Sequence, residues 1–385
     1  MSGEDFTRVI HRLGRLVAVP SVSSHDPQLD CSNRGVAELL AEWLEEAGFE
    51  VQWVPVNRGI DKVNVIATLG KGPPGLVLAG HTDTVPCDEH GWASDPFRLT
   101  ERDGKLYGLG STDMKAFFPL VLAAVEKVKA DRLQRSLVIV ATADEESSMA
   151  GVKALHGVID LRGAAALIGE PTGLKPVRAH KGVMMERIRV QGRSGHASDP
   201  STGRSALEGM NKVMTALLSW RDDLQRRYKD DSFAVQVPTM NLGHVHGGES
   251  PNKICAECEL HVDLRILPQM RAEQVQAEFG EVVRAALRDT DLSVEVSTLF
   301  DGVPPLNTDE RARVVHIAEV LSGKIAGSVA FGTEGPYLQQ MGVETVILGA
   351  GDIARAHQPN EFVPMADFAP MVKILRGMIE QFCIR

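Results

Sequence analysis

Cysteine is scarce in this chain. Five are present (Cys31, Cys87, Cys255, Cys258 and Cys383), an odd number with no repeated spacing. That excludes a disulfide framework and fits a reducing, cytoplasmic compartment. Cys255 and Cys258 have the spacing of half a zinc site, but no second pair exists to close it. They lie in an alternating, strand-like run, where residues three apart face opposite sides, so they read as structural. A basic excess is also missing. Lys and Arg number 41 against 51 Asp and Glu, for a net charge of -10, and the cations are scattered. Nucleic acid and anionic membrane are therefore excluded as main partners. No apolar run approaches the ~18 residues of a membrane span. The start, from Met1 and Ser2 onward, lacks the basic residues and apolar core of a signal peptide. No G-x-S-x-G stands anywhere, which weakens a serine-nucleophile reading. The GLGSTD run at 108–113 lacks the third glycine of a dinucleotide fingerprint. Internal repeats and low-complexity segments are absent.

What is present is a chain of 385 residues that is 43% hydrophobic, ample for a large core and more naturally two domains than one. Helical periodicity predicts helices over 6–19 and 34–47, the second stopped by Gly48. Strands are expected at 51–54, 63–69 and 76–79, and a helix over 114–129 with Pro119 in its first turns. This alternation, up to Glu170, indicates an α/β fold with a largely parallel sheet. The texture changes after Gly182. Strand 184–190, helix 205–227, strands 238–246 and 253–266, helix 272–288 and strand 292–299 follow the order β-α-β-β-α-β of a ferredoxin-like unit. The α/β pattern then returns at 311–321 and 345–348, so the unit is an insertion. The expected division is 1–182 with 300–385, and 183–299.

Four short apolar runs each deliver His or Glu just beyond their C-terminal ends. LVLAG at 76–80 leads into His81 and Asp83, and LVIVATA at 137–143 into Asp144, Glu145 and Glu146. AAALIG at 164–169 leads into Glu170, and TVILG at 345–349 precedes a loop reaching His357. In open α/β sheets that edge is where sites are built. Asp113 adds a carboxylate at the start of a helical stretch. Alternation puts His81 and Asp83 on one face, which suits an imidazole ligand held by a carboxylate on its other ring nitrogen. His81, Asp113, Glu145, Glu146, Glu170 and His357 form a mixed N/O set suited to zinc, with cobalt or manganese as replacements. The set is too large for one tetrahedral ion and fits two ions sharing a bridging carboxylate. One carboxylate is then left as general base, and the adjacent Glu145 and Glu146 offer it.

The motifs GHTDTVP (80–86), LYGLG with TDMK (106–110, 112–115), ATADEE (141–146), IGEPT (168–172), VRAHKG (177–182), SGH (194–196), NLGH (241–244), GTE (332–334) and AHQPNE (356–361) span nearly the whole chain. In that order they resemble the M20 family of metallopeptidases. The resemblance implies a zinc-exopeptidase-like catalytic domain with a metal pair, and an inserted lid that makes a homodimer. It implies that His81 and Glu170 hold one ion, Glu146 and His357 the other, and that Asp113 bridges them. Glu145 becomes the general base and Asp83 orients His81. His196, in the lid, would reach the partner subunit's site and polarise the scissile carbonyl. Asn252 and Arg265 would hold the substrate, Arg265 by its α-carboxylate. Leu109 stands where many relatives carry arginine, and Glu334 where other branches often carry aspartate; Glu334 would read the substrate's amine or brace a ligand. Within the family the resemblance is to the branch that removes acetyl from N2-acetyl-L-ornithine in arginine biosynthesis. The alternatives are deacylation of acetylcitrulline or succinyl-diaminopimelate, and, from another class, a non-catalytic binding protein.

Overall fold

A computed structural model describes residues 3–57, 59–88 and 90–384; Met1 and Ser2, where the signal-peptide reading begins, lie outside them. The strands, in chain order, are β1 (Glu50–Asn57), β2 (Asp61–Leu69), β3 (Pro74–His81), β4 (Thr100–Arg102), β5 (Lys105–Tyr107), β6 (Ser136–Thr142), β7 (Ala165–Ile168), β8 (Val177–His180), β9 (Gly182–Gln191), β10 (Thr239–Gly247), β11 (Glu257–Ile266), β12 (Ser293–Val303), β13 (Leu306–Asn307), β14 (Gly327–Val329), β15 (Glu344–Ile347) and β16 (Phe362–Pro364). Two compact units emerge. One comprises Met1–Arg178, Thr308–Gly327 and Thr333–Arg385, the other Ala179–Asn307 and Ser328–Gly332. No described helix is long and apolar enough to cross a membrane.

In the first unit the main sheet runs in the order β1-β2-β6-β3-β7-β15-β8. Its centre is parallel: β3 pairs β6 and β7, and β7 pairs β15, all in parallel. The flanks are antiparallel, at β1 with β2, β2 with β6 and β15 with β8. The sheet is therefore mixed around a parallel core. Every residue of β6 is buried, which is why its sequence reads as an unbroken apolar run. Alternate residues, such as Leu76 with Leu78 and Leu137 with Ile139, share one core with the helices Gly3–Val17, Arg34–Glu46, Phe117–Val125 and Phe368–Ile379.

The helix expected over 114–129 is shorter, Phe117–Val125, and wholly buried. Its predicted first turn is taken by the Asp113 loop, where the Lys115 N–H donates to the Gly110 carbonyl at 2.8 Å. Pro119 then falls in the first turn, where its missing N–H is not needed. A separate three-stranded sheet, β16-β5-β4, joins segments far apart in sequence.

The second unit has the order β9, helix Ala206–Arg227, β10, β11, helix Ala272–Ala286, β12. Its sheet is β10-β11-β9-β12, antiparallel throughout, as a ferredoxin-like unit requires. Ser205 caps the first helix by accepting the Glu208 N–H at 3.3 Å. Cys255 and Cys258 are free and both lie in this unit's core. The opposite-faces expectation fails for Cys255 because β11 begins only at Glu257.

Candidate metal centre

Because β6, β3, β7 and β15 are parallel neighbours, their C-terminal ends share one edge. His81 ends β3 opposite Thr142, the last residue of β6. Glu170 follows β7 by two residues, across Gly169. A Cβ on Gly169 would sit 2.1 Å from the Phe117 ring, so only glycine lets the backbone pass there.

Glu145 and Glu146 ride a turn fixed from two sides. Asp144 has a left-handed φ of 63° and is fully buried. It accepts from Lys62 Nζ at 2.7 Å, and the same ammonium reaches Ser23 Oγ and Asp30 Oδ1, each at 2.7 Å. On the other side the Asp83 carboxylate accepts the N–H groups of Glu145 (3.3 Å) and Glu146 (3.1 Å). That differs from the simple expectation for Asp83. His81 Nδ1 lies 3.0 Å from the Asp83 main-chain oxygen, while the carboxylate stands at 3.6 Å, beyond hydrogen-bond length. The carboxylate is turned toward the Glu145–Glu146 turn, and the main chain of the same residue meets the imidazole.

Asp113 stands between the two histidines. Its Oδ1 is 3.1 Å from His81 Nε2 and its Oδ2 3.2 Å from His357 Nε2. Glu146 Oε1 is 3.0 Å from His357 Nε2, and Glu170 Oε1 is 3.7 Å from His81 Nε2. One ligand atom each from His81, Asp113 and Glu146 lies within 4.8 Å of the others, a candidate ligand group. Glu145 makes no hydrogen bond to either imidazole among the described residues.

Charge in this cluster is unbalanced. Burial, with Glu170, Glu146 and Glu334 nearby, pushes Glu145 well above the usual carboxylate range, opposed by His81. Burial and Asp113 do the same to Glu170. Burial disfavours a charged His81, yet Asp113 and Asp83 raise it well above normal. Hydrogen bonds donated to Asp113 and Glu146 lift His357 to about 10. Clustered oxygen and nitrogen donors, buried at His81, Asp113 and Glu170 and exposed at His357, that together demand positive charge are the donor set a divalent cation satisfies, so these residues fit a metal centre. Glu334, 1% exposed, has one oxygen without a hydrogen-bond partner, and burial raises its carboxyl to about 7 against a Thr142 hydrogen bond.

His196, Asn252 and Arg265 belong to the second unit. The loops of the first two meet, with the Ala197 N–H donating to the Asn252 carbonyl at 3.0 Å, and His196 is exposed with Nδ1 2.7 Å from Ser198 Oγ. Arg265 instead pairs with Asp263, Nε to Oδ1 at 2.9 Å.

Sequence reasoning passed over Glu361. Its carboxylate accepts the N–H groups of Gly110 (3.0 Å), Thr112 (2.8 Å) and Asp113 (3.0 Å), 248 to 251 residues away. Its place at the end of AHQPNE was visible, but no local spacing signals so distant a partner. Lys62 was missed for the same reason.

The pattern of peptidase family M20/M25/M40 matches residues 77–381. The chain belongs to that family. As an M20 member it is a metal-dependent hydrolase. An acetylornithine deacetylase of Pasteurella multocida is 44% identical over 368 residues, covering 96% of both chains. One of Photorhabdus laumondii is 42% identical over 370 residues, again 96% of both. Among solved structures, an M20 metallo-carboxypeptidase from Sulfolobus solfataricus superposes with a TM-score of 0.76 at 17% identity, covering 99% of both chains. A Staphylococcus aureus tripeptidase gives 0.76 at 20% identity over 98% of both. At such identities these two show the M20 fold alone.

Proposed function

We propose that this chain hydrolyses the N-acetyl amide of N2-acetyl-L-ornithine to L-ornithine and acetate, as a step of arginine biosynthesis in the cytoplasm. The observation that carries the chemistry is Asp113, whose two carboxylate oxygens face two different imidazoles. That arrangement supports a pair of divalent cations, zinc by its N/O donors, with Asp113 between them. His81 and Glu170 would hold one ion, His357 and Glu146 the other. When bound, such a pair lowers the pKa of water and polarises a carbonyl.

Glu145 is the general base. It lies in the cluster without being hydrogen-bonded to either imidazole, and a carboxyl raised by its surroundings suits a proton carrier. It takes a proton from the attacking water as the C–O bond forms. It returns the proton to the amine nitrogen as the C–N bond breaks. Asp83 holds Glu145 and Glu146 by their N–H groups and His81 by its main-chain oxygen. His196 supplies a hydrogen bond to the developing oxyanion. The family resemblance supports a homodimer in which His196 of each chain serves the other chain's centre. Asn252 and Arg265 bind the substrate, Arg265 at its α-carboxylate once released from Asp263. Glu334, a buried carboxylate with one unpartnered oxygen, would read the ornithine ammonium or brace a ligand.

The substrate assignment rests on the two relatives, both named acetylornithine deacetylase. A panel of acetylornithine, acetylcitrulline, acetylmethionine, acetylglutamate and succinyl-diaminopimelate, compared by kcat/KM, tests it. Acetylornithine is expected to lead. Preference for acetylcitrulline would sink the ornithine assignment and leave the mechanism standing.

A further inference from the structure

We infer that Glu361 is a positioning residue that sets the geometry of the His357 side of the metal centre, an inference that rests on the two-ion reading above. Glu361 is 2% exposed, and among the described hydrogen bonds its carboxylate is given to main-chain N–H groups and not to either imidazole. Its carboxylate takes three N–H groups of the loop that presents Asp113: Oε1 those of Thr112 and Asp113, Oε2 that of Gly110. Its main-chain oxygen takes a fourth, from Gly108 at 3.1 Å. The small sheet explains the meeting. β16 begins at Phe362 and pairs antiparallel with β5, with Phe362 opposite Tyr107. The residue before β16 therefore lies beside the residue after β5, which brings Glu361 to Gly108 and the Asp113 loop.

Glu361 is also four residues from His357, in the same loop. One side chain thus ties two candidate ligands, Asp113 and His357, whose imidazole-to-carboxylate distance is 3.2 Å. The loop depends on that tie. Gly110 has a left-handed φ of 73°, and a Cβ there would meet Thr84 at 2.7 Å, so the turn is tight. Nothing else among the described hydrogen bonds accepts the N–H groups of Gly110, Thr112 and Asp113. Of the residues that would hold the ion on the His357 side, two, Asp113 and His357, are anchored through Glu361. Of those that would hold the ion on the His81 side, one, Asp113, is so anchored, while His81 and Glu170 are carried by the ends of β3 and β7. The two sites should therefore respond unequally when Glu361 is altered.

The test is calorimetric titration of metal-free protein with Zn²⁺, for the wild type, Glu361→Gln and Glu361→Asp, with circular dichroism as the fold control. Glutamine keeps Oε1 as an acceptor and faces the Gly110 N–H with a second donor. Aspartate keeps both acceptors but withdraws them by one methylene. Changes to groups that orient metal ligands cost ~10–100-fold in affinity. The expected result is that one of two sites weakens by ~10–100-fold in Glu361→Gln, the other changes by only a few fold, and Glu361→Asp lies between. Equal affinities in all three proteins would overturn the inference, as would equal weakening of both sites. A wild type that binds a single Zn²⁺ would instead overturn the two-ion reading; the inference then stands or falls on whether that one affinity drops in Glu361→Gln. If Glu361→Gln does not fold, Glu361→Asp alone decides between weakening and no change.

Discussion

Glu145 and Glu146 are adjacent, yet only Glu146 comes within 3.0 Å of an imidazole. The positive φ at Asp144 and the two N–H bonds to Asp83 hold the backbone of this turn. Glu145→Gln should retain bound metal while turnover falls by ~10²–10⁴-fold, the usual worth of general-base assistance. Glu146→Gln should lose metal as well, read by metal analysis after dialysis. The opposite pattern would exchange the two roles. Glu186, in the other unit, gives a residue-scale prediction about stability. It is fully buried on β9, with Gln276 donating to one oxygen and the other unpartnered. Burial raises its carboxyl to about 7, with the Gln276 bond opposing. The folded state then holds a proton that the unfolded chain releases near pH 4.5. Stability is undiminished below that pH and falls as pH rises toward 7. Glu186→Gln should raise Tm relative to wild type at pH 8 and change the difference little at pH 5. A Tm difference that does not vary with pH would contradict this.

At the scale of elements, Lys62 joins β2 to the turn after β6. Its ammonium is fully buried between Asp30 and Asp144, with Ser23 as third partner. Removing one partner of a buried pair typically costs ~3–5 kcal/mol. Lys62→Met should lower unfolding stability by that order in urea, and should weaken metal binding because the Asp144 turn carries Glu146. A stability change below ~1 kcal/mol would show that the carboxylates find other partners. The strand ends were legible in the sequence, because buried parallel strands leave continuous apolar runs and polar residues mark where they stop. The clamps were not. Lys62 with Asp144, and Glu361 with the Asp113 loop, pair residues 82 and 248 or more positions apart, and only the sheet order brings them together. Asp83 was legible as a neighbour of His81 but not as the holder of the next turn. That role needs β3 beside β6, which composition and periodicity do not supply.

At the scale of the whole molecule, the insertion was legible because the period of the pattern changes after Gly182 and changes back. The antiparallel flanks of the main sheet were not, since strand direction leaves little trace in a buried apolar run. The proposed homodimer carries its own test. His196→Ala and Glu145→Gln chains, each nearly inactive alone, should regain activity when mixed and re-equilibrated, because one centre per mixed dimer is then complete. No recovery would place His196 outside the reaction of the other chain. Two-ion hydrolysis of acetylornithine is the proposed activity. The most direct measurement is to titrate metal-free protein with Zn²⁺ while following release of acetate from N2-acetyl-L-ornithine. No turnover at zero metal and a rise that saturates near two ions per chain is the expected result; full turnover in thoroughly metal-free protein would contradict it.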